Sequence, residues 1–310
     1  MHVESTRMAR FRAFEVTPER FRKVATAALL AILVVIGTGA VVRLTGSGLG
    51  CENWPRCGDT PFPEKDGHAA IEFGNRVIGA ITIGFTLALW LAARRVPALP
   101  ARVRRLTLAL FAGNVAQIPL GGLTVIFELH PLLVMSHFLL AMAMLALAVV
   151  VLVEARGFES GWARPLVPRE LRLAGFVLAG AAALLVISGA FATAAGPHAG
   201  DSSEIDRLGE PVSSVYVHAG LTAVFGSSFL LVLGYLAARR ADAPRLLVLA
   251  LGVLGLLLVQ IGIGELQYHT GLPWLLVLAH VWSGAAVWAG VVALAMLIAK
   301  PLASLSHPRT

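Results

Sequence analysis

Residues 246–266 read LLVLALGVLGLLLVQIGIGEL, an apolar run whose only charged residue, Glu265, stands at its end. As a helix rising about 1.5 Å per residue, such a run matches the ~30 Å hydrocarbon core of a bilayer. Seven more runs of the same character occupy approximately 24–44, 71–93, 106–127, 131–153, 171–193, 214–237 and 273–298. Membrane strands would instead show short segments of alternating hydrophobicity, so helices are the spanning elements. The expected fold is an all-α integral membrane protein with eight transmembrane helices.

Composition agrees. The chain of 310 residues is 57% hydrophobic and 14% charged, whereas soluble domains carry about 25% charged residues. A net charge of +7 raises the question of a nucleic-acid partner, and the placement of the charges answers it. Of 25 Lys and Arg, 20 fall in segments 1–23, 94–105, 154–172, 238–245 and 299–310. Those segments alternate with loops and helix ends that hold only Arg43, Arg56, Lys65, Arg76 and Arg207. Lys and Arg collect on the cytoplasmic side, so both termini are expected inside a plasma membrane and no nucleic acid is implied. The first 23 residues are polar and basic, and the run after them is long enough to span, so a cleavable signal is not indicated.

The opening run also belongs to a repeat. Its QIGIGEL (260–266) matches QIPLGGL (117–123) at an offset of 143, and the same offset lays LLVLAH (275–280) on LLVMSH (132–137). His137 thereby corresponds to His280, and Asn75 to His218. VIGTGA (35–40) resembles VISGA (186–190) with a different loop length. The chain reads as a basic cytoplasmic segment (1–23), a first four-helix half (24–155), a second (165–298) and a cytoplasmic tail (299–310). The two halves form duplicated four-helix bundles of parallel orientation.

Of nine histidines, His137, His218 and His280 lie inside apolar helices. Ionisable groups at that depth are rare and usually functional, although a single histidine can also hydrogen-bond a neighbouring helix. Two at equivalent depth on facing helices can clamp an iron porphyrin from both faces. No further histidine follows at helical spacing to build a zinc site, so heme is the leading ligand. In the first half the partner position is Asn75, a poor iron ligand. His68 and Glu72 precede it on the same helix face, and His130 lies seven residues outward from His137. Glu72 reads either as an interfacial anchor paired with Arg76 or as a carboxylate that places a proton or stabilises charge beside a heme pocket. Arg43 and Arg76 stand near outer helix ends, where they either meet heme propionates or snorkel to the interface.

Cys51 and Cys57 are the only cysteines and share the outer loop, 45–70. An oxidising exterior favours a disulfide between them, either a staple or a redox-active pair. The motif Cys-x-x-Cys-His is absent, which removes covalent c-type heme attachment.

TGSGLGCENWPRC (45–57), IEFGNR (71–76), GPHAGD (196–201) and the histidines at 137, 218 and 280 resemble the heme A synthase family across roughly residues 24–298. The resemblance implies oxidation of a ring methyl of heme O to the formyl group of heme A, with water as the oxygen source, for terminal cytochrome oxidase. It implies a heme b on His218 and His280, with heme O held in the first half by His137. Glu72 would be the catalytic carboxylate, and Cys51–Cys57 the family's outer-loop disulfide. Heme O synthase as the source of substrate, cytochrome oxidase assembly factors, membrane lipid and a homo-oligomer are the partners it suggests, in a bacterial plasma membrane. Asn75 departs from the family, many of whose members carry histidine there. The other classes are a di-heme cytochrome b passing electrons between quinone and a partner, which calls for two bis-histidine hemes, and a transporter, which calls for broken helices and midplane polar groups.

Overall fold

The computed structural model describes residues 15–51, 54–58, 62–63, 67–164, 167–201, 205 and 207–306. Eight helices are long and apolar enough to cross a membrane. They are α1 (Pro18–Leu44), α2 (Gly67–Ala93), α3 (Ala101–Ile126), α4 (Pro131–Ser160), α5 (Arg169–Ala195), α6 (Pro211–Ala238), α7 (Pro244–His269) and α8 (Trp274–Ala299), followed by a short α9 (Ala303–Ser306). The expected all-α membrane architecture is present.

Most helices run past the apolar runs that announce them. α1 starts six residues before the run at 24, because Thr17 accepts a hydrogen bond from Arg20 N and Pro18 occupies the first turn. That first-turn N–H has no helical partner in any case, so proline there sacrifices nothing. Pro131, Pro211 and Pro244 open α4, α6 and α7 in the same way. Hydropathy marks the hydrocarbon portion, whereas capping residues mark where the helix begins. Pro119 lies inside α3, a position tolerated where neighbouring helices can satisfy the freed backbone.

Sequential helices pack side by side, and each set of four closes on itself. α1 packs on α4 in the first set, and α5 packs on α8 in the second. One core is built mainly from Ala25, Ile32, Leu89, Leu110, Leu145 and their neighbours on α1–α4. The other draws on Leu178, Phe225, Leu246, Leu257 and Val291 of α5–α8, with Val149 and Val153 contributed by α4. α8 joins the sets through two tryptophans. Trp282 Nε1 donates to Leu33 O of α1 at 3.0 Å, and Trp288 Nε1 donates to Met142 O of α4 at 2.9 Å. The indole of Trp282 fits over Gly37, where an added Cβ would lie 3.1 Å from the ring. At the opposite end from the cysteine loop, buried Glu154 lies 3.4 Å from Arg102 and 4.0 Å from Lys300. Lys300 Nζ also stands 3.7 Å from the Trp162 ring centre.

Candidate functional site

His218 on α6 and His280 on α8 face each other, with ring centroids 6.4 Å apart and planes inclined by 76°. With metal–imidazole bonds of about 2 Å on each side, two coaxial rings gripping one metal stand about 6 Å apart. The separation therefore fits a bis-imidazole clamp. Ser188 Oγ donates to Leu185 O at 2.8 Å and lies 2.9 Å from His218 Nδ1. Since the serine proton goes to the carbonyl, His218 Nδ1 carries the ring proton, and Nε2 presents a free lone pair. A hydrogen bond on one ring nitrogen that frees the other is the usual arrangement behind a metal-binding histidine. His280 is held through its backbone: Gln260 Nε2 donates to His280 O at 2.9 Å, and Ser283 Oγ donates to Gln260 Oε1. His280 Nδ1 is buried and has no partner among the described residues.

The same contacts recur around His137 and Asn75. Gln117 Nε2 donates to His137 O at 3.3 Å, as Gln260 does to His280. Thr38 Oγ1 donates to Asn75 Oδ1 at 2.7 Å, where Ser188 meets His218. Each ring rests on a glycine. An added Cβ at Gly121, Gly189 or Gly264 would come 3.3, 3.0 or 3.0 Å from Cε1 of His137, His218 or His280 respectively. At Gly39 it would stand 4.0 Å from both amide atoms of Asn75. His137 Nδ1 and Gln117 Oε1 are buried without partners among the described residues.

These supporting residues escaped the sequence reading, yet its own signals contained them. Gln117/Gln260 and Gly121/Gly264 obey the offset that pairs His137 with His280. Thr38/Ser188 and Gly39/Gly189 sit in the VIGTGA and VISGA segments already matched. They were passed over because an amide, a hydroxyl and a glycine carry no metal chemistry of their own.

The cysteine loop folds onto α2. Cys51 and Cys57 form a disulfide with a Cα–Cα distance of 4.3 Å, and both are buried against Ala69 and Phe73. Cys51 N donates to Glu72 Oε2 at 2.7 Å. The other carboxylate oxygen, Oε1, accepts from Arg76 Nη2 at 2.5 Å, one turn along. Arg76 Nη1 in turn donates to Pro55 O and Arg56 O at 3.3 and 2.9 Å. Glu72 is 5% exposed, and its two oxygens link Cys51 of the disulfide to Arg76 of α2. Arg76 is thus the partner of Glu72 and of the loop.

Arg43 takes a role that sequence did not suggest. Its Nε donates to His198 O at 2.8 Å and its Nη2 to Thr193 O at 2.5 Å, tying the end of α1 to the end of α5. Beside it, Gly48 N donates to Gly200 O at 2.7 Å. An added Cβ at Gly48 would meet that carbonyl at 2.8 Å, so glycine is what permits the approach. Beside these loops, at the disulfide end of the bundles, lies a cleft of about 460 Å³, lined in part by Arg43, His68, His198 and Asp201. His68 Nδ1 lies 2.9 Å from Ser47 Oγ, which holds the ring at the rim. His130 is exposed at the N-cap of α4. Among the described residues, no three His, Cys, Asp or Glu side chains converge on a metal cluster.

A model of the cytochrome oxidase assembly protein family, COX15-CtaA, matches residues 22–292. The chain belongs to this family. Within the cytochrome oxidase assembly family, it is 25% identical over 300 residues to the heme A synthase of Shewanella oneidensis, covering 81% of this chain and 88% of that protein. It is 31% identical over 146 residues to the heme A synthase of Symbiobacterium thermophilum, covering 46% and 48% of the two chains. With that of Bacillus pumilus it shares 31% over 140 residues, covering 44% and 46%. The chain spans about half the length of these last two relatives.

Proposed function

We propose that the chain is a heme A synthase, an oxidoreductase that converts a ring methyl of heme O to the formyl group of heme A for terminal cytochrome oxidase. Family membership and its similarity to heme A synthases support the reading. The observation that carries it is the unequal pair of sites. His218 and His280 form a complete imidazole clamp, while the corresponding place in the first half keeps His137 but offers Asn75. Two firm ligands suit a resident electron-transfer heme, whereas a substrate must enter and leave.

In this reading the halves 24–155 and 165–298 are duplicated bundles, with both termini cytoplasmic and the disulfide loop outside. Heme b would be held by His218 and His280, where it supplies one-electron transfer. Heme O would lie in the first half, held from one face by His137. Its hydrocarbon tail suits a site open to lipid between helices, and heme O synthase is the natural source of so apolar a substrate.

Methyl-to-formyl conversion with the oxygen drawn from water is two successive two-electron oxidations at one carbon, R–CH3 + H2O → R–CHO + 4 H+ + 4 e−, and the electrons would leave singly, through the heme held by His218 and His280, to an external one-electron acceptor. The chain contributes charge and position. Glu72 is held from both oxygens, by Cys51 N–H and by Arg76, so its carboxylate is preset at the outer end of the substrate bundle. A preset negative charge stabilises positive charge that develops at a neighbouring carbon without waiting for solvent to reorganise. It can also accept a proton from the attacking water.

The test is to purify the chain from membranes of heme O-producing cells and identify the extracted hemes by mass. Heme b with heme O or heme A supports the synthase. Heme b alone, in both halves, supports the electron-passing cytochrome instead.

A further inference from the structure

The first-half site differs from its counterpart by more than one missing ligand. An asparagine amide nitrogen has no lone pair to give a metal, but it carries two N–H donors. In the second half the serine below the ring receives the His218 proton, which turns the imidazole's acceptor nitrogen toward the clamp. In the first half the polarity is reversed. Thr38 Oγ1 stands 2.7 Å from Asn75 Oδ1, closer than the 3.2 Å to Val35 O. The hydroxyl therefore binds the amide oxygen, and Nδ2 is the free end. Among the described residues no group accepts from Nδ2. The amide also reaches roughly 1 Å less far than an imidazole, so room remains where the second half has a ring.

We propose that Asn75 is a hydrogen-bond donor for a small lone-pair ligand, water or hydroxide, on the face of the substrate macrocycle opposite His137. The inference rests on the reading of the first half as the heme O site. It assigns Asn75 a positioning role in place of the histidine it replaces: it keeps that face open and holds the small molecule that enters. Thr38 sets the polarity of the amide. His68 does not fill the gap, since its ring is held at the rim by Ser47.

Fluoride is a suitable probe, because it binds high-spin ferric heme and its affinity rises with nearby N–H donors. The full chain, purified with heme O in the first half and heme b in the second, is titrated with fluoride and followed by optical and EPR spectra. The native protein should show one low-spin signal and one high-spin signal, and only the high-spin signal should respond. Asn75→Leu keeps the volume and removes the donors, so fluoride should bind about tenfold more weakly, as expected for losing one hydrogen bond to a charged partner. Asn75→His should convert the site to low spin and abolish the response. If Asn75→Leu lowers the melting temperature but leaves fluoride affinity unchanged, Asn75 merely joins α1 to α2 and the inference fails alone. If the first half takes up no heme O while the second retains heme b, both the inference and the substrate-site reading fail.

Discussion

Ser188→Ala isolates what orients the His218 ring. Ser188 is 7% exposed, and its oxygen accepts from His218 Nδ1–H at 2.9 Å while its own O–H donates to Leu185 O at 2.8 Å. Alanine leaves the helix intact and deletes the hydroxyl that accepts from the buried Nδ1–H, so the ring must turn toward the Leu185 carbonyl to find another acceptor. An unsatisfied buried donor costs about 1–3 kcal/mol, and loss of such a partner behind a metal-bound histidine typically weakens binding by roughly 10–100-fold. The variant should escape the cost by letting the ring rotate or shift its proton, and either change withdraws Nε2 from the clamp. The assay is heme b affinity, measured by back-titration of heme-depleted protein in detergent, with EPR reporting ligand geometry. Ser188→Ala should weaken binding at least tenfold and broaden the low-spin signal, while Ser188→Thr should restore both. His280 has no such side-chain partner, so its own strength is unaffected. An affinity within twofold of the native value, in a preparation where His218→Ala abolishes the signal, would refute the role assigned to the serine.

Glu72→Gln should keep the fold, the disulfide and both hemes, yet leave heme O unconverted; native turnover would reduce the carboxylate to a loop anchor. Replacing Cys51 and Cys57 with serine should free the loop that positions Glu72, lowering turnover at least tenfold while the heme b spectrum stays unchanged. Loss of the second-half heme in that variant would contradict the local role of the loop. In native protein alkylated without reductant, intact mass should show no modified cysteine. Gly189→Ala and Gly264→Ala each bring a methyl within 3.0 Å of a ligand ring and should release heme b, whereas Gly255→Ala, where an added Cβ meets nothing, should not. Equal retention by all three would show that the rings do not depend on these close approaches.

Much of this protein was legible because membrane physics writes itself into composition. Runs such as 246–266 have no alternative to helix in lipid, and the 143-residue offset by itself pairs His137 with His280. The expected disulfide at Cys51–Cys57 and the pairing of Glu72 with Arg76 are both present. Helix ends were less legible, because polar residues such as Arg20 and Arg22 extend α1 beyond the hydrocarbon without altering its backbone hydrogen bonding.

Sequence by itself determined the element type, the number of spans and the residues able to carry chemistry, since these depend on local composition and spacing. Only tertiary structure decided which groups those residues meet. That Cys51 N–H binds Glu72 and that Arg43 clamps Thr193 and His198 follow from backbone atoms approaching side chains across 21 and 150 or more positions respectively. A backbone donor or acceptor is the same at every residue and leaves no mark in the sequence. Its direction is set by helix rotation and loop path, which only the closed bundles fix.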